Sequence, residues 1–169
     1  MREISDVIRR FSHTPAEDLR RLVRSTIANI CLGNMDAHAK NYSLLHDEHG
    51  SVRLAPFYDI VCTEIYEGLD AKLSIYFGGN DDPARLYRED VIRFAKDMHV
   101  AVREVDDAID EIPDAISAYW PAVIDDVVRK TGREDALAPM VERMRKHLDR
   151  RISVVRSTGV MGSAISRGT

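Results

Sequence analysis

Cysteine is nearly absent from this 169-residue chain: Cys31 and Cys62 are the only two. Both lie in apolar runs, ICLG and DIVCT, which reads as two buried reduced thiols and excludes a disulfide framework. Long apolar runs are missing too. No stretch approaches the roughly 20 residues of a spanning helix, and no signal-peptide pattern opens the chain. A cytoplasmic location without membrane contact is therefore expected. An excess of charge of one sign is also lacking. The formal net charge is −4, so no direct nucleic-acid binding is expected. Glycine and lysine do not occur at all in residues 1–32. What is there is a globular balance, 44% hydrophobic and 31% charged, enough to fill a core in one domain or a large part of one.

The first firm element is predicted at Thr14-Pro15-Ala16-Glu17. Thr14 suits the N-cap, Pro15 the first helical position, and Glu17 completes a capping box. Leu19, Leu22, Val23, Ile27 and Ile30 then recur at helical spacing until Gly33. Tyr42–Leu45 and Val52–Leu54 read as two short strands around the turn HDEHG, whose histidines are expected to be solvated. Ala71–Phe77 alternates as a half-buried strand or extended segment would. From about Arg88 the pattern is helical. One helix carries Val91 and Phe94, and another runs from Val102 to Ile112. A third carries Ile116 to Val128, with Tyr119 and Trp120 on its apolar stripe and Pro121 expected to kink or divide it. A last amphipathic helix is expected from near Pro139, with Met140 and Met144 filling its apolar side. Its other face, Arg143, Lys146, Arg150 and Arg151, reads as solvated. The tail 157–169 is small and polar, so disorder is expected there.

The polar cluster GNMDAHAKN, residues 33–41, begins where the apolar helix stops. Such density is costly to bury and hard to explain by packing. Asp36 and Asn41 are five residues apart, the spacing of the protein-kinase catalytic loop H-R-D-x-x-x-x-N. In that loop the Asp orients an attacking hydroxyl and the Asn oxygen holds Mg²⁺ at the phosphates. A hard cation needs a further carboxylate, and Asp59 follows the predicted hairpin where a kinase carries its second metal-binding Asp. Lys40 is placed to offset phosphoryl charge, and His38 to brace the loop.

GNMDAHAKNYSLL followed by LAPFYDI resembles the C-terminal lobe of HipA-type serine/threonine kinases, toxins of bacterial toxin–antitoxin modules. The resemblance implies a mainly α fold with a small β-hairpin, the larger lobe of a protein-kinase-like architecture. It implies a lobe over 1–156, with the catalytic loop at 33–41, the hairpin at 42–56 and a helical bundle at 88–156. It implies Asp36 as catalytic base, Asn41 and Asp59 as Mg²⁺ ligands, and supporting places for His38 and Lys40. The cofactors would be ATP and Mg²⁺. The partners would be a protein substrate, an aminoacyl-tRNA synthetase in the best-known case, and a DNA-binding antitoxin. A kinase also has a smaller lobe with a glycine-rich loop and a strand lysine. Residues 1–32 hold neither residue type, so that lobe is expected elsewhere, for instance on another chain. Little or no kinase activity is expected of these residues alone.

Three other readings compete. Asp36, His38 and Asn41 are residue types that cap helices and brace turns. A metal-dependent phosphoesterase would use Asp36, His38, His46, Asp47 and His49, and GNMD is similar to the Gly-Asn-His-Asp/Glu box of that class. No Asp-x-His precedes residue 36, however, and His99 and His147 fall in helical patterns. Third, the lobe serves as a non-catalytic module that binds an antitoxin or other partner.

Overall fold

A computed structural model describes residues 1–159. Five α-helices, two short 3-10 helices (Ala39–Asn41 and Thr63–Ile65) and one two-stranded sheet make up its regular structure. Helix α1 spans Arg2–Phe11 and α2 Pro15–Leu32. Strands β1 (Leu44–His46) and β2 (Val52–Leu54) pair antiparallel, Leu44 opposite Leu54 and His46 opposite Val52. Helices α3 (Arg88–Met98), α4 (Val102–Thr131) and α5 (Glu134–Thr158) follow. The fold class is thus the expected one, mainly helical with a small hairpin.

The core is continuous. Leu22, Val23, Ile27 and Ile30 of α2 meet Val105, Ala108 and Ile109 of α4 and Leu148, Ile152 and Val155 of α5. All are buried, and a buried Leu, Ile or Val contributes about 1.5–3 kcal/mol each by leaving water. Phe94 of α3 stacks on Phe77 with ring centroids 4.4 Å apart. The segment 71–77, expected as a strand or extended run, instead bends at Lys72, Ser74 and Ile75 and enters no ladder beyond the isolated Phe77–Asn80 bridge, while Leu73 and Phe77 are buried.

Several sequence expectations need correction. Helix α1 precedes the expected first element. Thr14 stands at the N-cap of α2 but its side chain makes no capping bond, and its hydroxyl is buried without a partner. The entrance is organised by the hairpin instead. His13 N–H donates to the Val52 carbonyl at 2.8 Å, and His13 Nδ1 accepts from Val52 N at 2.9 Å. Asp18, fully buried, accepts from Ser12 Oγ at 2.7 Å and from Leu54 N at 2.8 Å. Glu17, the other member of the expected box, reaches Arg53 on β2.

The expected two helices over 102–128 are one, α4, which runs through Pro113 and Pro121. Each proline deletes one main-chain hydrogen bond. Pro121 is exposed, so water can take the carbonyl it frees, while packing of the N-terminal half against α2 and α5 holds the helix in line. Tyr119 is 70% exposed and not a core residue, whereas Trp120 is half-buried against the core. Helix α5 starts at Glu134 and contains Pro139. Arg151 is not on a solvated face: it is 3% exposed and paired with Glu64. Cys62 is half-buried rather than buried. Ser157 and Thr158 belong to α5, Gly159 caps it with its N–H on the Arg156 carbonyl, and residues 160–169 of the expected disordered tail lie outside the described residues.

Candidate functional site

Helix α2 ends on Gly33 in the left-handed conformation, φ 71°. A side chain there would be strained, and its Cβ would sit 3.2 Å from Glu64 Oε2 and 3.3 Å from Cys62 Sγ. The turn thus releases the polar cluster against a second segment, residues 58–65. Three hydrogen bonds close the two strands of chain together. Met35 N donates to Thr63 Oγ1 at 2.9 Å, Thr63 Oγ1 donates to the Gly33 carbonyl at 3.2 Å, and Glu64 N donates to the same carbonyl at 3.2 Å.

Asn34, 3% exposed, donates from Nδ2 to Asn29 Oδ1 and to the Asp59 carbonyl, and its oxygen accepts from Asp36 N. Asn41 closes a 3-10 turn, Ala39–Asn41, and donates from Nδ2 to the Asp36 carbonyl at 3.2 Å. The two residues singled out by their spacing are therefore joined through the backbone. The Asp36 carboxylate is exposed, and His38 Nε2 lies 2.7 Å from its Oδ1. Lys40 is exposed, and its carbonyl accepts from the Tyr58 hydroxyl at 3.1 Å. Ser43 Oγ lies 2.8 Å from that hydroxyl. Asp59 follows directly, exposed and left-handed at φ 57°, a conformation that Asp tolerates better than most residues.

Two further groups were not legible as site residues. Glu64 is buried, which by itself raises its carboxyl, but the Arg151 hydrogen bonds and charge, with His147 beside it, hold it below the usual carboxylate range. Arg151 donates from Nε to Glu64 Oε2 at 2.9 Å and from Nη2 to Oε1. Ser74 donates its N–H to the Met35 carbonyl at 3.1 Å and its hydroxyl to the same oxygen, next to Asp36. No motif in the sequence pointed to either. Burial also raises the Tyr42 phenol and the Cys62 thiol.

The residues present suit a hard divalent cation. Among the described residues, the Asn41 amide nitrogen is committed to Asp36, its oxygen accepts nothing, and the Asp59 carboxylate has no hydrogen-bond partner. Those are two oxygen donors of the kind Mg²⁺ takes. A cage of the phosphoesterase kind has less support. Among the described residues no three His, Cys, Asp or Glu side chains converge on a metal position. His99 is beside Asp6, His147 beside Glu64, and His46 and His49 are exposed on the hairpin.

The family model described as HipA-like C-terminal domain matches residues 1–120. The chain belongs to this family. Of its relatives, "Putative kinase Y4mE" of Sinorhizobium fredii is 32% identical over 121 residues, 72% of this chain and 29% of that protein. The serine/threonine-protein kinase toxin HipA of Shewanella oneidensis is 29% identical over 80 residues, 47% of this chain and 18% of that protein. The chain thus spans less than a third of the length of these relatives. A solved complex of HipA, HipB and operator DNA from Shewanella oneidensis contains a chain of the same fold. The TM-score is 0.64 at 22% identity, covering 86% of this chain and 35% of that one.

Several clefts border the loop of this HipA-like domain, and two of them contrast in lining. One, about 660 Å³, is lined by Asp36, His38, Leu69, Asp70, Lys72 and Tyr76 among others. The second, about 470 Å³, is mostly apolar, lined by Ile4, Val7, Tyr42, Leu44 and Leu54, and reaches the loop at Ala39. No helix of the described residues is long and apolar enough to cross a membrane.

Proposed function

We propose that this domain is the catalytic-loop lobe of an ATP-dependent serine/threonine protein kinase of the HipA toxin kind. The observation that carries the reading is the clamp between residues 33–41 and 58–65. It holds the Asp36 loop and the Asp59 segment against each other through Asn34, Thr63 and Tyr58. Positioning and charge stabilisation supply most phosphoryl-transfer catalysis, so a loop pair fixed in this way is what the chemistry needs.

Asp36 orients the acceptor hydroxyl and takes its proton as the oxygen attacks. His38, 2.7 Å away, restrains the carboxylate. Asn41 and Asp59 would hold Mg²⁺, which when bound would neutralise phosphate charge. Lys40 offsets charge on the transferred group. The apolar groove beside Ala39 suits a nucleoside base, since such sites are concave and largely apolar. The transfer is proposed for these residues acting with a phosphate-covering lobe. The protein substrate and a DNA-binding antitoxin are proposed as partners on the family likeness.

Calorimetric titration of the 169-residue chain with ATP in Mg²⁺ tests the site. Binding that disappears in Asp59→Asn, with unchanged circular dichroism, supports it. Equal binding by the variant moves the metal site elsewhere. No binding by the unaltered chain favours the second reading, a lobe that docks an antitoxin or another partner. The exposed Tyr119, Val123 and Val127 on the outer half of α4 favour that alternative.

A further inference from the structure

The cleft on the Asp36 side has a charge and a shape that the nucleotide does not explain. Its lining holds three carboxylates, Asp36, Asp70 and Asp81, against one lysine, Lys72. Lys72 is already committed: its ammonium lies 2.9 Å from Asp81 Oδ2. His38 is beside Asp36. Asp70 makes no close ion pair among the described residues: it takes the Lys72 main-chain N–H on Oδ1, and its charge reaches the Lys72 ammonium only at longer range than that of Asp81. A polyphosphate is repelled by such a wall. The apolar groove reaches the loop at Ala39 and shares no lining residue with this cleft, so the two suit different occupants.

The outer wall is built onto the loop. Both the N–H and the hydroxyl of Ser74 bond to the carbonyl of Met35, one residue before Asp36. Leu73 N donates to the Asp81 carbonyl at 2.8 Å and closes the far end. Leu69 and Tyr76, each 58% exposed, stand on this wall as apolar surface without an intramolecular role. An occupant of this cleft meets Asp36, a free carboxylate and an aromatic face together.

We propose that this cleft receives the acceptor segment, and that Asp70 and Tyr76 select a serine or threonine flanked by lysine or arginine. The inference rests on Asp36 serving as the base. Asp70 supplies the counter-charge, Tyr76 a face for the cation and its alkyl stem, and Leu69 a contact for a neighbouring apolar residue. Asp70 and Tyr76 are specificity-determining residues, since neither touches the transferred phosphoryl group.

The test uses the 169-residue chain and two labelled decapeptides that differ only in lysines or glutamates beside a central serine. Binding is read by fluorescence anisotropy and mapped by amide chemical shifts. The lysine peptide is expected to bind at least about threefold tighter, the scale of one exposed ion pair. In Asp70→Asn that ratio falls towards one, and in Tyr76→Ala the lysine peptide weakens. The shifts centre on residues 35–38 and 63–81, which line the cleft. Equal affinities, a preference for glutamate, no binding of either peptide at 1 mM (about the weakest affinity worth scoring), or shifts elsewhere overturn the proposal. Mg-ATP titration of the same samples keeps the two ideas apart. Nucleotide binding without peptide selection sinks this inference alone. Lysine selection without nucleotide binding leaves the selective cleft standing and sinks the kinase reading.

Discussion

Asn34 Nδ2 donates to the main-chain carbonyl of Asp59 at 3.2 Å, while the same amide reaches Asn29 Oδ1 at 2.9 Å. One side chain thus joins the end of α2, the loop that carries Asp36, and the segment beyond the hairpin. The Asp36 amide on the Asn34 oxygen completes the junction. This buried amide is the direct side-chain link to Asp59, beside the Thr63, Glu64 and Tyr58 bonds that join the same two segments.

Asn34→Ala removes the donors and leaves buried acceptors unmatched. Such a loss costs about 1–3 kcal/mol. Urea unfolding should show this drop. Amide exchange should accelerate at residues 34–41 and 58–60 together, since the Asn34 side chain bonds to both. Acceleration confined to one segment would mean that the amide does not couple them.

The Glu64–Arg151 pair should be costly to break. Both side chains are under 10% exposed. Arg151→Met leaves the carboxylate buried without its main partner, which costs about 3–5 kcal/mol. The pH dependence has a definite sign. Burial opposes ionisation of Glu64, but Arg151 and His147 hold its folded pKa below the unfolded value. Its contribution is therefore present above about pH 4.3, the ordinary glutamate value, and is lost as pH falls through the lower folded pKa. Urea midpoints measured from pH 6 down to pH 3 (roughly the carboxylate range) should fall in the unaltered chain and fall less steeply in Arg151→Met. Equal slopes would assign the acid sensitivity to other carboxylates.

Gly78→Ala should be among the most damaging single changes. Gly78 has φ 59°, and an added Cβ would lie 2.0 Å from the Asp90 carbonyl oxygen, which is helix backbone and cannot swing away. Overpacking and the left-handed backbone together cost about 3 kcal/mol. Thermal unfolding of the variant should show a large downward shift in Tm. A shift of less than a few degrees, on the scale of about 2–4 °C per kcal/mol, would mean that the segment 78–80 relaxes freely.

The two thiols should react in order. Burial pushes Cys31 up to about 12, and its side chain is fully buried. Cys62 is raised less and is partly accessible. A disulfide reagent near neutral pH should label Cys62 slowly, and Cys31 only in denaturant, because the thiolate is the reactive form. Early labelling of Cys31, read by peptide mass, would contradict its burial.

Helix α2, its stop at Gly33 and strand β2 were readable because each depends on local chemistry: apolar spacing, a left-handed glycine, alternation. The pairing of Asp36 with Asn41 was readable from spacing, and the hairpin before Asp59 from turn residues. The capping box was misread because Thr14 competes with a non-local partner. The hairpin draws His13 to Val52, and the Thr14 hydroxyl is left without a bond. Helix α4 was divided after Ile112 and expected to kink or divide again at Pro121, because local pattern and propensity do not see α2 and α5 along its flank. Tyr119 was assigned to the core for a related reason: periodicity names a face but not how far the neighbouring helices extend along it.

By itself, then, the amino-acid sequence determined helix α2 and its stop, the hairpin and the family, because these rest on residues near one another in the chain. Tertiary structure alone decided that Asn34 and Tyr58 tie the Asp59 segment to the Asp36 loop. It alone put Arg151 of α5 in the interior against Glu64, and Ser74 on the Met35 carbonyl. Those contacts join residues far apart in sequence, and their energy arises only when burial removes the water that would otherwise satisfy each group.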